Sequence, residues 1–302
     1  STARSEGMQV LDADFSPRYG TVLLNTVYAN KSGMDLHLQV ILPPGTPQDE
    51  AQSPDSVSFP CLLFVQGSAW HEQQLGKELI ALADFAGRGY VIAIVEYRPS
   101  DVAPFPAQAE DLQTAVEFVQ DHADELFVDP DRIGVWGDSS GGHTVLMEYV
   151  SSGVEASGES GGAVLSLQNQ PIKCVVDYYG PTNIARMSEE PSIMDHLSVD
   201  SPEGMLIGGH SVLDNPTLAA PTIITNWIPP VEERALPPLL IVHGSKDRVV
   251  PFAQSVYLSD CLGEKGQEFE FIQLKGADHG GSPFWQPQVL DIVDSFVKAA
   301  MQ

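Results

Sequence analysis

Apolar and polar residues alternate along residues 35–42, Asp-Leu-His-Leu-Gln-Val-Ile-Leu, which is the period-two pattern of a half-buried strand. Residues 21–28 ahead of it are β-prone, and Asn30-Lys31-Ser32-Gly33 supplies a turn between the two. Residues 20–43 are therefore predicted to form an antiparallel hairpin. Residues 43–60 are rich in Pro, Ser, Gln and Asp and read as a loop. Beyond Pro60 the pattern changes. Residues 61–65, 90–95, 133–136, 174–176 and 239–242 are short, continuously apolar runs, with a weaker one at 269–272. Such runs suit strands buried on both faces, as in a parallel sheet covered by helices. Between them, Leu112, Ala115, Val116 and Val119 follow helical spacing, and Val289, Val293, Phe296 and Ala300 do so approximately. Alternating strand and helix predicts an α/β fold with right-handed crossovers.

Residues 181–238 break this rhythm, with many Pro, Ser and Asn residues and no clear strand. The stretch is too long for an ordinary loop. It is predicted to hold short helices and to cover something, as a cap-like insertion in one domain spanning residues 1–302. Its apolar members Met187, Met194, Leu206, Ile207 and Trp227 either line a pocket or pack the segment onto the body.

Composition narrows the function classes. The 302 residues are 43% hydrophobic and 19% charged, which fits a globular chain able to build its core without staples. Lys and Arg number 15 against 41 Asp and Glu, a net charge of -26, which argues against nucleic acid or an anionic membrane as partner. No apolar run approaches the roughly 18–20 residues of a membrane helix, and the first residues lack a signal peptide's apolar stretch. Cys61, Cys174 and Cys261 are too few and too scattered for a disulfide framework or a zinc cluster. A cytoplasmic protein needing no metal or cofactor is expected, with a homo-oligomer left open.

Gly137-Asp138-Ser139-Ser140-Gly141 matches G-x-S-x-G between the apolar run 133–136 and a helical pattern at Val145, Leu146, Tyr149 and Val150. A nucleophile must leave a sheet on a turn sharp enough to present its hydroxyl, and the glycines let neighbouring chain approach that turn. Ser139 is the expected nucleophile because it sits at the centre of the motif; Ser140 is its competitor. A serine hydroxyl needs a base, and the base an orienting carboxylate. His279, in Gly276-Ala277-Asp278-His279-Gly280-Gly281, follows the last apolar run and is the expected base. His37, His122 and His196 are assigned to surface or packing roles, His143 to packing and His243 to holding a turn. His71 and His210 stay undecided. Asp247 follows the 239–242 run and is the expected acid, which makes the chain order Ser, Asp, His. Asp278 adjoins the histidine in sequence, where a carboxylate rarely has the geometry to orient it. Gln66-Gly67-Ser68-Ala69-Trp70 follows the run 61–65. Gly67 and Ser68 there, with Ser140 behind the nucleophile, are expected to offer the N–H groups of an oxyanion hole. Trp70, His71, His210 and Trp227 are candidate substrate contacts.

At these residues the chain resembles bacterial carboxylesterases related to hormone-sensitive lipase, especially small acetyl-esterase and feruloyl-esterase-like enzymes acting on plant cell-wall esters. The resemblance runs from about Val57 to Val297. It rests on residues 66–70, 105–111, 129–133, 137–142, 179–182, 206–209, 243–251 and 276–281. It implies an α/β-hydrolase fold, with a mostly parallel eight-stranded sheet, helices on both faces, and the triad Ser139, Asp247 and His279. The family's usual His-Gly-Gly-x-Trp is Gln66-Gly67-Ser68-Ala69-Trp70 here, and the N-terminal part reads as hairpin strands where lipase-like members have a helical cap. The implied activity is a serine carboxylesterase forming an acyl-enzyme on short-chain, acetyl or feruloyl esters, with a small-molecule or saccharide ester as substrate. Amide hydrolysis, as in arylformamidases, uses the same triad and is the alternative. A non-enzymatic hydrolase-fold binding protein is disfavoured, because such proteins usually lose a triad member.

Overall fold

The computed structural model describes residues 3–47, 57–152 and 172–302. Strand β1 (Thr21–Lys31) and strand β2 (Met34–Leu42) pair antiparallel. The two residues joining them, Ser32 and Gly33, both have positive φ (53° and 79°), which matches the right-handed twist of a tight hairpin. After this hairpin come β3 (Phe59–Val65), α1 (Leu79–Ala86), β4 (Val91–Val95), α2 (Ala107–Asp121), β5 (Val128–Asp138), α3 (Ser140–Ser151) and β6 (Val175–Tyr178). The short helices α4 (Pro202–Leu206) and α5 (Pro216–Ala219) precede β7 (Leu239–Gly244), α6 (Ala253–Glu264), β8 (Phe269–Leu274) and α7 (Pro287–Ala300).

The eight strands form one sheet in the order β1-β2-β4-β3-β5-β6-β7-β8. Only the β1–β2 and β2–β4 pairs are antiparallel. The continuous apolar runs are the central strands, and the pleat divides them between two cores. Cys61, Leu63 and Val65 face the core that includes α2, α3 and α6 residues, whereas Leu62 and Phe64 face the one shared with α1 and α7. The weaker run became β8, which is only half-buried because it is an edge strand. The expected loop at 43–60 ends two residues early: Phe59 pairs with Val128 and its N–H reaches Phe127 O, so Phe59 and Pro60 already belong to β3. Residues 48–56 of that loop lie outside the described residues. No helix among the described residues is long and apolar enough to cross a membrane.

Residues 181–238 contain no strand, only short helical turns besides α4 and α5. Leu206, Ile207, Val212, Ala219 and Ile184 form a third apolar cluster around Trp70. Phe105 N–H donates to Leu206 O at 2.8 Å, which ties the segment to residues 105–111. The conspicuous acid of that stretch, Asp111, is buried against the Arg98 guanidinium (2.8 Å) and Lys31 (3.1 Å). It is a structural ion pair.

Candidate active site

Strand β5 delivers Ser139 into a turn that only glycines permit. A Cβ on Gly141 would overlap the Val65 carbonyl, and one on Gly137 would overlap the Gly141 carbonyl. Ser139 itself has φ 53° and ψ -122°, a strained state costing about 1–3 kcal/mol. Its N–H donates to Tyr178 O (2.9 Å) and its carbonyl accepts from His143 N–H (3.0 Å), so the turn is locked between β6 and α3.

His279 stands in the loop after β8, where Gly276, Gly280 and Gly281 take positive φ. Its Nε2 lies 3.0 Å from Ser139 Oγ and its Nδ1 2.7 Å from Asp247 Oδ2. Tyr179 packs edge-on against the ring at 4.6 Å. Asp247 follows β7, and its side chain is fully buried. Burial alone would raise its pKa. Hydrogen bonds from His243 and His279, with their positive charge when protonated, outweigh that and hold it at about 2. Its second oxygen, Oδ1, accepts the N–H groups of Val249 and Val250, both at 2.9 Å. Asp278 does not meet the imidazole. Its oxygens accept Arg248 N–H, His279 N–H and the Arg248 guanidinium, which clamps the acid loop to the histidine loop.

The oxyanion expectation changes in detail. Gly67 N–H donates to Asp138 Oδ1 (2.8 Å), and Ser68 N–H donates to Ser140 Oγ (2.8 Å). Neither group is free. Among the described residues, the backbone N–H groups of Ala69 and Ser140 show no protein acceptor. Ala69 and Trp70 turn through positive φ (56° and 57°), while Ser68 does not, so a side chain at position 68 brings no backbone strain. The Ser68 hydroxyl donates to His71 O (2.6 Å) and also meets Tyr97 OH (2.8 Å), which lies 3.1 Å from Ser140 Oγ. Burial pushes the Tyr97 pKa up to about 12, so it is a neutral phenol at working pH. Gln66, in place of the family's His, accepts Gln74 N–H through its side chain (2.8 Å) and pins the far end of the loop.

The candidate substrate contacts divide. Trp70 is 2% exposed, packed within the third apolar cluster and edge-on to His143, so it supports the cover and is withdrawn as a contact. Trp227 is half-buried: its ring packs on the main core and its indole N–H donates to Pro221 O (3.0 Å). His71 and His210 are exposed. Leu206 and Ile207 pack the segment down, whereas Met194 is exposed. His143 is buried, with its pKa lowered by burial to about 4, and it contacts Thr222 O. Asp138, Tyr97 and Ala69 were missed as site-shaping residues. Asp138 lay in plain view inside the motif, but Tyr97 carries no local signal. Among the described residues no cluster of three His, Cys, Asp or Glu side chains is arranged to hold a metal ion.

The BD-FAE family profile matches residues 50–262, more than half of the chain. Among curated proteins the chain is similar to Esterase LipC of Mycobacterium tuberculosis, with 25% identity over 228 residues covering 73% of this chain and 53% of LipC. It is also similar to the probable isoprenylcysteine alpha-carbonyl methylesterase ICMEL1 of Arabidopsis thaliana, with 25% identity over 233 residues covering 73% of this chain and 45% of that protein. The chain thus spans about half the length of the curated relatives it matches. Among solved structures it is similar to a truncated form of a carbohydrate esterase from gut microbiota, with 28% identity and a TM-score of 0.76, covering 95% of this chain and 100% of that one.

Proposed function

The chain belongs to the BD-FAE family, and we propose that it is a serine carboxylesterase acting on short acyl or feruloyl esters of carbohydrate. The observation that carries this reading is the line from Ser139 Oγ through His279 to Asp247, at 3.0 and 2.7 Å, beside two unengaged N–H groups. His279 Nε2 takes the Ser139 proton as Oγ bonds to the ester carbonyl carbon. The carbonyl oxygen becomes an oxyanion and accepts the N–H groups of Ala69 and Ser140. Collapse breaks the bond to the alcohol, which receives the proton from His279. Water then gives a proton to the same nitrogen, attacks the acyl carbon and releases the acid, restoring Ser139. Asp247 keeps the proton on Nδ1, so that Nε2 faces the serine in its basic form.

The carbohydrate part of the reading is supported by the solved carbohydrate esterase at 28% identity. The whole chain acts as one hydrolase unit, with residues 181–238 as its cap. The net charge of -26 suits neutral saccharide esters better than polyanions, and the free cysteines suit a cytoplasmic setting. A panel of p-nitrophenyl acetate and butyrate, acetylated and feruloylated oligosaccharides, and formyl-kynurenine tests the proposal. Ester turnover, saccharide esters leading and Ser139→Ala inert, is the expected result. Preferred cleavage of the amide overturns it in favour of an amidase.

A further inference from the structure

Asp247 is shared by a second imidazole. His243, near the end of β7, is fully buried. Its Nε2 lies 3.2 Å from Asp247 Oδ2 and 3.0 Å from Val250 O. A carboxylate and a carbonyl both accept, so this nitrogen carries a hydrogen and donates to both. Its Nδ1 lies 2.7 Å from Ser255 Oγ on α6. The serine hydroxyl donates there when the imidazole is neutral and so fixes the tautomer. Asp247 Oδ2 therefore receives two imidazole donors on one oxygen, His279 at 2.7 Å and His243 at 3.2 Å. Two aromatic rings also lie near the His243 ring, Phe252 at 5.3 Å and Tyr179 at 6.3 Å between centroids. The titratable groups in these contacts are Asp247 on the acid loop, Tyr179 after β6 and, across the shared carboxylate, His279. The contacts to Asp247 and Val250 hold the turn after β7, as expected, and the one to Asp247 also reaches the triad.

We propose that His243, held by Ser255, is a positioning residue for the reaction: it fixes the Asp247 carboxylate and weakens its pull on the His279 proton. The inference rests on the esterase reading above. A donor on Oδ2 stabilises the carboxylate and draws negative charge away from the bond to His279. Less of the carboxylate's charge is then directed at the His279 ring. Removing the donor strengthens the Asp247–His279 attraction, so the acid limb of the kcat/KM profile moves to higher pH.

Three variants test this: His243→Leu removes the donor, His243→Gln keeps an N–H able to reach Oδ2, and Ser255→Ala frees the tautomer. Profiles of kcat/KM for p-nitrophenyl acetate are read per active site, counted by fluorophosphonate titration. For His243→Leu the acid limb should rise by about half a pH unit and kcat fall about tenfold at unchanged KM, as loss of one hydrogen bond to a charged group implies. His243→Gln should restore most of both, and Ser255→Ala should show the same shift at smaller size. In wild-type protein, 15N spectra should show the His243 proton on Nε2 and a bare Nδ1. An unmoved acid limb in fully titrated His243→Leu overturns the proposal, as does a Gln variant no better than Leu. Should the Leu variant not fold, a wild-type profile in Ser255→Ala or a proton on Nδ1 alone overturns it equally. Failure of the esterase reading is read separately on the wild-type protein, which would then prefer the amide of the panel above or take no fluorophosphonate on Ser139.

Discussion

Ser139, His279 and Asp247 form a hydrogen-bonded line at 3.0 and 2.7 Å, and Ser192, His196 and Glu203 form another at 2.8 and 2.8 Å. Distance does not separate them. Their surroundings do. Ser192 Oγ lies 3.1 Å from both Arg248 O and Val249 O, and it accepts Met194 N–H at 3.1 Å. A hydroxyl has one proton, and here the two carbonyls claim it. With its proton directed at those carbonyls, Ser192 Oγ has none to give the His196 ring. Among the described residues, Ser139 Oγ has only the imidazole as partner. The N–H following Ser192, on Ile193, is taken by Arg248 O (2.8 Å), whereas the N–H following Ser139 is unengaged. His196 and Glu203 are each 3% exposed, while His279 is 20% exposed and within reach of a substrate. The second array is a tether: it fastens residues 192–203 to the loop that carries Asp247. A serine–histidine–carboxylate line becomes reactive only where the hydroxyl proton is unclaimed and N–H groups await the oxyanion.

The strongest way to break this comparison is to remove each serine. Ser139→Ala is expected to lower kcat by on the order of 10³-fold or more and abolish fluorophosphonate labelling, as loss of a triad member does. Ser192→Ala should keep the label on Ser139 and stay within about threefold of wild-type kcat. A label found on Ser192 would make the two arrays equivalent. Next come the acids near the imidazole. Asp247→Asn should lower kcat by on the order of 10³-fold by spoiling the His279 tautomer. Asp278→Asn should cost less than about tenfold, since it loosens only the Arg248 clamp; equal losses would return Asp278 to contention.

Asp247 also predicts a pH dependence of stability. Its folded pKa of about 2 lies below the ordinary aspartate value of 3.8, so its contribution is fully present above about pH 4 and is lost as pH falls toward 2. The Asp247→Asn variant should therefore show a shallower decline of Tm between pH 4 and 2 than the wild type. An identical slope would mean the carboxylate is not held ionised. The tether responds in stability and not in chemistry. Glu203→Ala leaves the His196 Nδ1 side without its buried partner and should reduce unfolding free energy by about 2–3 kcal/mol in urea titrations. Turnover per titrated site should stay within about threefold. The smallest effect is expected at Trp70→Phe. Among the described residues the buried Trp70 indole N–H has no partner, so the change should move Tm by a few degrees and leave the acetate-to-butyrate preference unaltered. A changed preference would restore Trp70 as a substrate contact.

What the amino-acid order determined by itself are the features written in local chemistry. Strands buried on both faces require continuous apolar runs, so β3 to β7 were legible, and Asn30-Lys31-Ser32-Gly33 announced the hairpin, although Asn30 and Lys31 belong to β1 and only Ser32-Gly33 make the turn. The Gly137–Gly141 turn was legible because only glycine tolerates that approach, and it pointed to Ser139 with no knowledge of its neighbours. Trp70 misled because an aromatic beside a candidate oxyanion loop looks the same in sequence whether it faces solvent or, as here, a cover that returns more than a hundred residues later. Tertiary structure alone decided which hydrogen-bonding groups are already spent. Gly67 N–H is consumed by Asp138, Ser68 N–H by Ser140, and the Ser192 proton by Arg248 and Val249, with each pair more than fifty residues apart along the chain. Each donor hydrogen serves few acceptors at once and acts only over about 3 Å. Which N–H stays free for an oxyanion, and which imidazole stays free to accept a proton, is therefore fixed by what the folded chain brings within that distance.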